Sequence, residues 1–300
     1  MNFTFRGLMV PVFTPFKENM TINLDIINDY AKFLSKSGLN GILVNGTTGE
    51  GPSLSKSERL EVAEEWRAAT LNTKQHLMVQ IGGAPLCDVV ELAKHAERIG
   101  VDSLLCLPEL YFKPQTTSQL IDYLKIISDA APNTPLLYYH IPQFTEVKIH
   151  MGDFMNDICD KVPTFCGIKF TSTCLDEGLL AIQANNRKYA VFLGADHILA
   201  GGFTLGFDSA IATSLNLVPQ LSFNILNATT NSLIKRARDE QMKLNEAIEI
   251  ITKRGSWVPT MKAAMNLLTP LNMGKVRQPL SQLTLEHIKE MEEKLKLLNL

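Results

Sequence analysis

Phe165-Cys166-Gly167-Ile168-Lys169-Phe170 is a short apolar run that carries one lysine near its end. A turn signal, Lys161-Val162-Pro163-Thr164, precedes it and a polar cluster follows. The run is too short for an isolated helix and reads as a strand buried on both faces. Lys169 then lies where a charge is expensive. Burial disfavours an ammonium and favours the neutral amine, which attacks a carbonyl to form a Schiff base. The competing reading of the same hexapeptide is a lysine that marks the strand end and snorkels to solvent. The surrounding chain decides between them.

Outward from this strand, short β-rich runs alternate with longer amphipathic segments between Gly7 and about Leu217. Strands are expected over 8–14, 41–45, 76–81, 103–107, 135–140, 165–170, 189–194 and 209–213. Helices are expected between them, over 24–36, 56–69, 88–99, 118–130, 152–161, 174–185 and 197–205. Ser55-Lys56-Ser57-Glu58 fits a capping box, in which the serine oxygen accepts from a first-turn amide and the glutamate reaches back to the cap. Such alternation without a long linker calls for parallel β-α-β units, and eight of them close into a (β/α)₈ TIM barrel of the α/β class. A doubly wound sheet is the alternative. It would place G-x-G-x-x-G after the first strand, whereas Gly82-Gly83 follows the third and lacks the remaining spacing. After Val218 the β signal ends, and helical patterns run over 220–227, 232–252, 260–268 and 285–298. The expected organisation is one domain over 1–300, with barrel strands and helices over about 7–217 and the last barrel helix plus a C-terminal helical extension over about 218–300. That extension is expected to pack on the barrel or at a subunit contact.

Composition bounds the chemistry of these 300 residues. At 45% hydrophobic and 20% charged the chain can bury a large core, and a net charge of −2 leaves no electrostatic footprint for nucleic acid or an acidic membrane. A small-molecule partner is expected. Cys87, Cys106, Cys159, Cys166 and Cys174 are odd in number, lie mostly inside apolar or helical patterns and lack C-x-x-C spacing, which reads as reduced core thiols in a cytoplasmic protein. Met1-Asn2-Phe3-Thr4-Phe5-Arg6 lacks the basic-then-apolar order of a leader, and no later window holds the about 18 apolar residues of a membrane span. His76, His95, His140, His150 and His287 show no H-x-x-x-H or similar ligand spacing, so no metal is expected.

In a β/α barrel the reacting groups sit at the carboxyl ends of strands and in the loops that follow. Asn45-Gly46-Thr47-Thr48-Gly49-Glu50-Gly51 follows the second strand and offers glycine-permitted amides beside two hydroxyls. That combination suits a carboxylate or phosphate, although plain turns are built the same way. Tyr138-Tyr139-His140-Ile141-Pro142 ends the fifth strand, where alternation lets only one of the two tyrosines point into the barrel. Strands five and six are neighbours, so Tyr139 and Lys169 can face one substrate. A neutral amine beside a phenol is a rational pair for carbon–carbon cleavage: the amine makes an iminium that accepts electrons, and the phenolate takes a hydroxyl proton.

With these motifs the chain resembles, from about Gly7 to Leu280, the pyruvate-dependent class I aldolases of the dihydrodipicolinate synthase and N-acetylneuraminate lyase group. The resemblance rests on Gly46-Thr47-Thr48-Gly49-Glu50, Tyr139-His140-Ile141-Pro142 and Gly167-Ile168-Lys169, in that order and spacing. It implies a barrel, a homotetramer, Lys169 as the Schiff-base lysine and Tyr139 as the proton shuttle. No cofactor is implied, since the iminium is the electron sink. Thr47 and Thr48 would hold the pyruvate carboxylate, and Thr48 would relay protons towards a tyrosine lent by a neighbouring subunit, a position that Tyr111 matches. Synthases of the group place an arginine two residues after the proline of the tyrosine motif. Phe144 stands there, and an apolar ring cannot make the paired hydrogen bonds of a guanidinium. Similarity to the lyase branch, its animal form in particular, extends through Ser55-Lys56-Ser57-Glu58-Arg59, Ala63-Glu64-Glu65-Trp66 and Val162-Pro163-Thr164-Phe165. It implies a carbon–carbon lyase that cleaves N-acetylneuraminate to N-acetylmannosamine and pyruvate, with Thr171, Gly194, Asp196 and Thr213 binding the polyhydroxylated chain.

Four positions depart from that branch: His197 replaces a glutamate, Thr213 a serine, Glu146 a glycine and Leu215 a tyrosine. A neutral His197 offers a sugar hydroxyl one donor and one acceptor in place of a charged acceptor, or it merely starts the following helix near solvent. The departures leave two alternatives open. One is a class I aldolase for another 2-oxo sugar acid, such as 2-keto-3-deoxygluconate, and the other is a sugar-acid-binding barrel without turnover.

Overall fold

The structure, a computed structural model, describes residues 3–298; Met1, Asn2, Asn299 and Leu300, and with them the outer ends of the expected 1–300 domain, lie outside the described residues. Apolar runs flanked by turn residues form eight short strands: β1 (Leu8–Pro11), β2 (Gly41–Val44), β3 (His76–Gln80), β4 (Ser103–Cys106), β5 (Leu136–His140), β6 (Phe165–Phe170), β7 (Ala190–Leu193) and β8 (Ser209–Ile211). All pairings are parallel, and β8 returns to β1, so the sheet closes into a barrel and the doubly wound alternative falls. Amphipathic segments cover it as α1 (Ile27–Lys36), α2 (Lys56–Thr73), α3 (Leu86–Arg98), α4 (Thr117–Ala130), α5 (Pro142–Thr145), α6 (Met151–Asp157), α7 (Leu175–Arg187), α8 (Leu199–Leu205) and α9 (Pro219–Thr230). The extension follows as α10 (Ile234–Thr252), α11 (Trp257–Leu268) and α12 (Leu285–Leu297). Alternation along each strand divides the core in two. Met9, Leu43, Met78, Leu105, Leu137 and Phe192 fill the barrel, while Val10, Ile42, Leu104, Tyr138 and Ile168 pack outward against helices. Among the described residues no helix is long and apolar enough to cross a membrane.

Several boundaries differ from expectation for local reasons. The strands expected to reach 14, 194 and 213 stop at Pro11, Leu193 and Ile211, where the chain peels away into loops. Single bonds still hold those loops in register, including Thr171 N to His140 O and Gly194 N to Phe170 O, each at 2.8 Å. The helix expected over 152–161 stops at Asp157, short of a left-handed Asp160 (φ 58°). Ala184, Asn185 and Asn186 leave helical geometry inside α7, and a 3₁₀ turn over Asp196–Ile198 replaces the start of the helix expected from 197. The helix expected from 260 begins at Trp257, because Pro259 sits in the first turn, where its missing N–H breaks no intrahelical bond. The capping box of α2 forms in full, with Ser55 Oγ accepting from Glu58 N and Ser55 N donating to the Glu58 carboxylate.

The pairing of β5 with β6 contains a step that the sequence pattern does not announce. Leu136 pairs with Phe165 but Leu137 pairs with Gly167, so Cys166 is an extra residue and the strand bulges there. Strict alternation would place residues 166 and 169 on opposite faces. The bulge turns both inward: Cys166 joins the barrel interior and Lys169 lines a cavity at the barrel mouth, while Phe165, Ile168 and Phe170 pack outward. Gly167 completes the step, since a Cβ there would lie 2.2 Å from the Ala190 carbonyl oxygen of β7.

His140, one residue past Tyr139, points the other way and stacks on Phe170 with ring centroids 5.3 Å apart. Neither ring nitrogen has a hydrogen-bond partner among the described residues, and burial lowers its pKa to about 4. The folded state therefore refuses a proton that the unfolded chain accepts below pH 6.5. Stability from this group is complete above that pH and is lost as the pH falls through the window down to about 4, by about 3 kcal/mol in all. Urea melts at pH 7.5 and 5 are expected to show this acid loss, and His140→Leu to shrink it. An unchanged slope in the variant would refute the assignment.

Candidate active site

The carboxyl ends of β2, β5, β6, β7 and β8 converge on a cavity of about 680 Å³. Lys169 enters from β6 with 5% of its surface exposed, and its Nζ donates to Tyr139 Oη at 3.1 Å. The same Nζ lies 4.2 Å from the Tyr139 ring centroid. Cα pairing places the two residues directly side by side on β5 and β6. Lys169 thus does not snorkel to bulk solvent; its amine ends at a phenol inside the cavity. Tyr138, on the opposite face, packs against Phe154, and burial pushes its hydroxyl above the ordinary phenol range. Thr47 Oγ1 stands 3.1 Å from Tyr139 Oη, whereas the hydroxyl of Thr48, the residue expected to relay protons, lies 2.9 Å from Thr213 Oγ1.

The threonine loop is held by backbone geometry and by one buried ion pair. Asn45 and Glu50 adopt left-handed conformations (φ 59° and 56°), and Gly51 approaches Asn45 so closely that a Cβ would meet its carbonyl oxygen at 1.8 Å. Glu50 is turned away from the cavity. Its Oε1 accepts from Lys262 Nζ at 2.8 Å and its Oε2 from Arg277 N at 2.7 Å. Lys262 spends its other two protons on the carbonyls of Thr14 (2.8 Å) and Lys275 (3.0 Å). Burial outweighs the attraction of Glu50 and pulls the Lys262 pKa down to about 8. The last residue of the Gly-Thr-Thr-Gly-Glu motif is therefore a tie to α11, and the two threonines are what it presents.

The residues expected to grip a sugar chain also gather here. Thr171 turns a buried Oγ1, without a hydrogen-bond partner among the described residues, beside Gly194, where a Cβ would lie 2.1 Å from that oxygen. Asp196 lines the cavity, but its Oδ1 accepts from Ser214 N at 2.7 Å. Burial raises its carboxyl pKa above the usual range, and the bonds from Ser214 oppose the rise. His197 lies exposed in the 3₁₀ turn before α8 and also lines the cavity rim. Phe144 and Gln143 of α5 flank the mouth. Glu146 needs a left-handed backbone (φ 57°), which explains the glycine preference at that position, and its carboxylate pairs with Lys148 at 2.9 Å. Leu215 is fully buried in the outer core, so its departure does not reach the cavity.

Tyr111 is not brought to the cavity of its own chain. It lies in the loop after β4, 82% exposed and edge-on to Phe112, beside a separate surface groove. Conversely, Trp257, Gln143, Ser172 and Thr173 line the cavity without having been singled out in the sequence. Trp257 donates from Nε1 to Thr213 Oγ1 at 3.2 Å. In the sequence it falls just outside the helical pattern expected from 260, in a segment read as an extension. The five cysteines are free thiols, but only Cys106 and Cys166 lie in the core; Cys87 and Cys174, at the start of helices, are exposed and Cys159 is half-buried. Among the described residues no group of three or more His, Cys, Asp or Glu side chains could hold a metal ion.

Comparison with known proteins agrees with this geometry. A model of the Dihydrodipicolinate synthetase family matches residues 4–298. The N-acetylneuraminate lyase of Mus musculus is 37% identical over 98% of this chain and 92% of its own length. The solved N-acetylneuraminate lyase of Proteus mirabilis superposes with a TM-score of 0.93 at 29% identity, covering 98% of this chain and 99% of that one. The N-acetylneuraminate lyase (sialic acid aldolase) of Aliivibrio salmonicida gives the same TM-score at 30% identity, covering 98% and 97%.

Proposed function

The chain belongs to the dihydrodipicolinate synthetase family, and on that premise we propose that it is a Schiff-base-forming lyase that cleaves N-acetylneuraminate to N-acetylmannosamine and pyruvate. The observation that carries the reading is the buried amine of Lys169 at 3.1 Å from Tyr139 Oη, inside a cavity lined by hydroxyls. Lys169 attacks the keto carbon of the open-chain sugar acid and, with loss of water, forms an iminium. Tyr139 takes the C4 hydroxyl proton as the C3–C4 bond breaks, and the bonding electrons pass into the iminium to give an enamine on the lysine. N-acetylmannosamine leaves, the enamine is protonated at carbon, and hydrolysis frees pyruvate and the amine. Thr47 and Thr48 hold the carboxylate, and Thr171, Gly194, Asp196, His197 and Thr213 face the hydroxylated chain. We place the enzyme in the cytoplasm as a homotetramer in which Tyr111 of one subunit completes the proton path of another; its exposure at the surface supports that role.

Trapping is the direct test. Borohydride added with pyruvate is expected to leave a reduced pyruvate adduct on Lys169, read by peptide mass spectrometry. Turnover of N-acetylneuraminate is expected to exceed that of 2-keto-3-deoxygluconate. Failure to form any adduct would leave only a binding protein, and the reverse substrate order would move the assignment to another 2-oxo sugar acid.

A further inference from the structure

We propose that Trp257 is a positioning residue whose indole N–H sets the direction of the Thr213–Thr48 hydrogen bond and so aims the Thr48 proton into the cavity. This rests on reading the cavity as a keto-acid site. An indole nitrogen only donates, so the 3.2 Å contact fixes Thr213 Oγ1 as the acceptor. A threonine hydroxyl has one proton and two lone pairs. Thr213 is 5% exposed, and its hydroxyl has one other partner among the described residues, Thr48 Oγ1 at 2.9 Å. Were Thr48 also to donate to it, both Thr213 lone pairs would be spent and the Thr213 proton would have to turn into the cavity, which it lines, with no acceptor on the protein. The arrangement that pairs the Thr213 hydroxyl entirely on protein is Trp257 to Thr213 to Thr48. It leaves the Thr48 proton unspent on protein and available to a carboxylate oxygen.

The extension is built to hold this donor in place. Trp257 is the first residue of α11, and Lys262, five residues further on, bonds to Glu50 Oε1 of the loop that carries Thr48. Helix α11 thus grips the threonine loop twice, once through the buried ion pair and once through the hydroxyl chain. Removing the N–H frees the Thr213–Thr48 bond to reverse, and a reversed bond spends the Thr48 proton on Thr213.

Trp257→Phe keeps a ring in the wall and deletes the donor. In borohydride trapping with pyruvate, its half-saturating concentration is expected to rise about three- to tenfold, the worth of one hydrogen bond, with the maximal adduct yield and Tm kept. Thr213→Val is expected to produce a similar rise, and the double variant no more than the larger single effect, since both break one chain. An unchanged half-saturation in Trp257→Phe, or additive effects in the double variant, would overturn the proposal. If the unaltered enzyme forms no adduct, the aldolase reading itself fails, a result distinct from either.

Discussion

Lys169→Met is expected to lower N-acetylneuraminate cleavage by about 10⁴-fold or more, the scale on which loss of a covalent nucleophile acts, and to abolish the borohydride adduct. The same change is expected to leave Tm unchanged or raised. Lys169 is 5% exposed, and among the described residues its amine makes a single side-chain hydrogen bond, to the Tyr139 hydroxyl. Replacing it with an apolar chain of similar length strands no carboxylate and relieves the burial of an amine. Activity within about a hundredfold of the unaltered enzyme would mean that another nucleophile serves. A large loss of Tm would mean that the lysine is structural.

Lys262→Met is expected to show the opposite pattern on stability. This lysine is as deeply buried, but it is paired: its ammonium bonds Glu50 at 2.8 Å and two backbone carbonyls. Deleting one partner of a buried pair leaves the other charge uncompensated, at a cost of about 3–5 kcal/mol, or a fall in Tm on the order of 10 °C. Adding Glu50→Gln removes the stranded charge and is expected to recover part of that loss. Thermal melts of the three proteins decide the matter. If Lys262→Met melts with the parent, the pair contributes nothing and cannot anchor the threonine loop. Two buried lysines in one barrel are thus expected to separate cleanly, one costing activity and the other stability, because only one has a carboxylate opposite it.

Much of this was legible before any coordinates. The β-α alternation specified a barrel, the apolar run around Lys169 specified a strand with a lysine near its end, and the adjacency of strands five and six brought Tyr139 beside it. Each of these depends on residues close together in the chain, whose periodicity and turn chemistry act locally. Asp196 was only half legible. Its place at a strand end was evident, but its commitment to Ser214 N, 18 residues on, depends on how two loops meet.

What the chain alone determined is the set of elements and which side chains stand at their ends, since strand and helix periods are written residue by residue. The tertiary structure alone decided which way several of those side chains face. A single extra residue at Cys166, admitted by pairing with β5, turns Lys169 inward. Glu50 faces Lys262, more than 200 positions away, and not the cavity, while Trp257 arrives from a helix that had looked peripheral. The physical reason is common to all three: a side chain's direction and its hydrogen-bond partner are set by groups remote in sequence, and those meet only when the barrel closes.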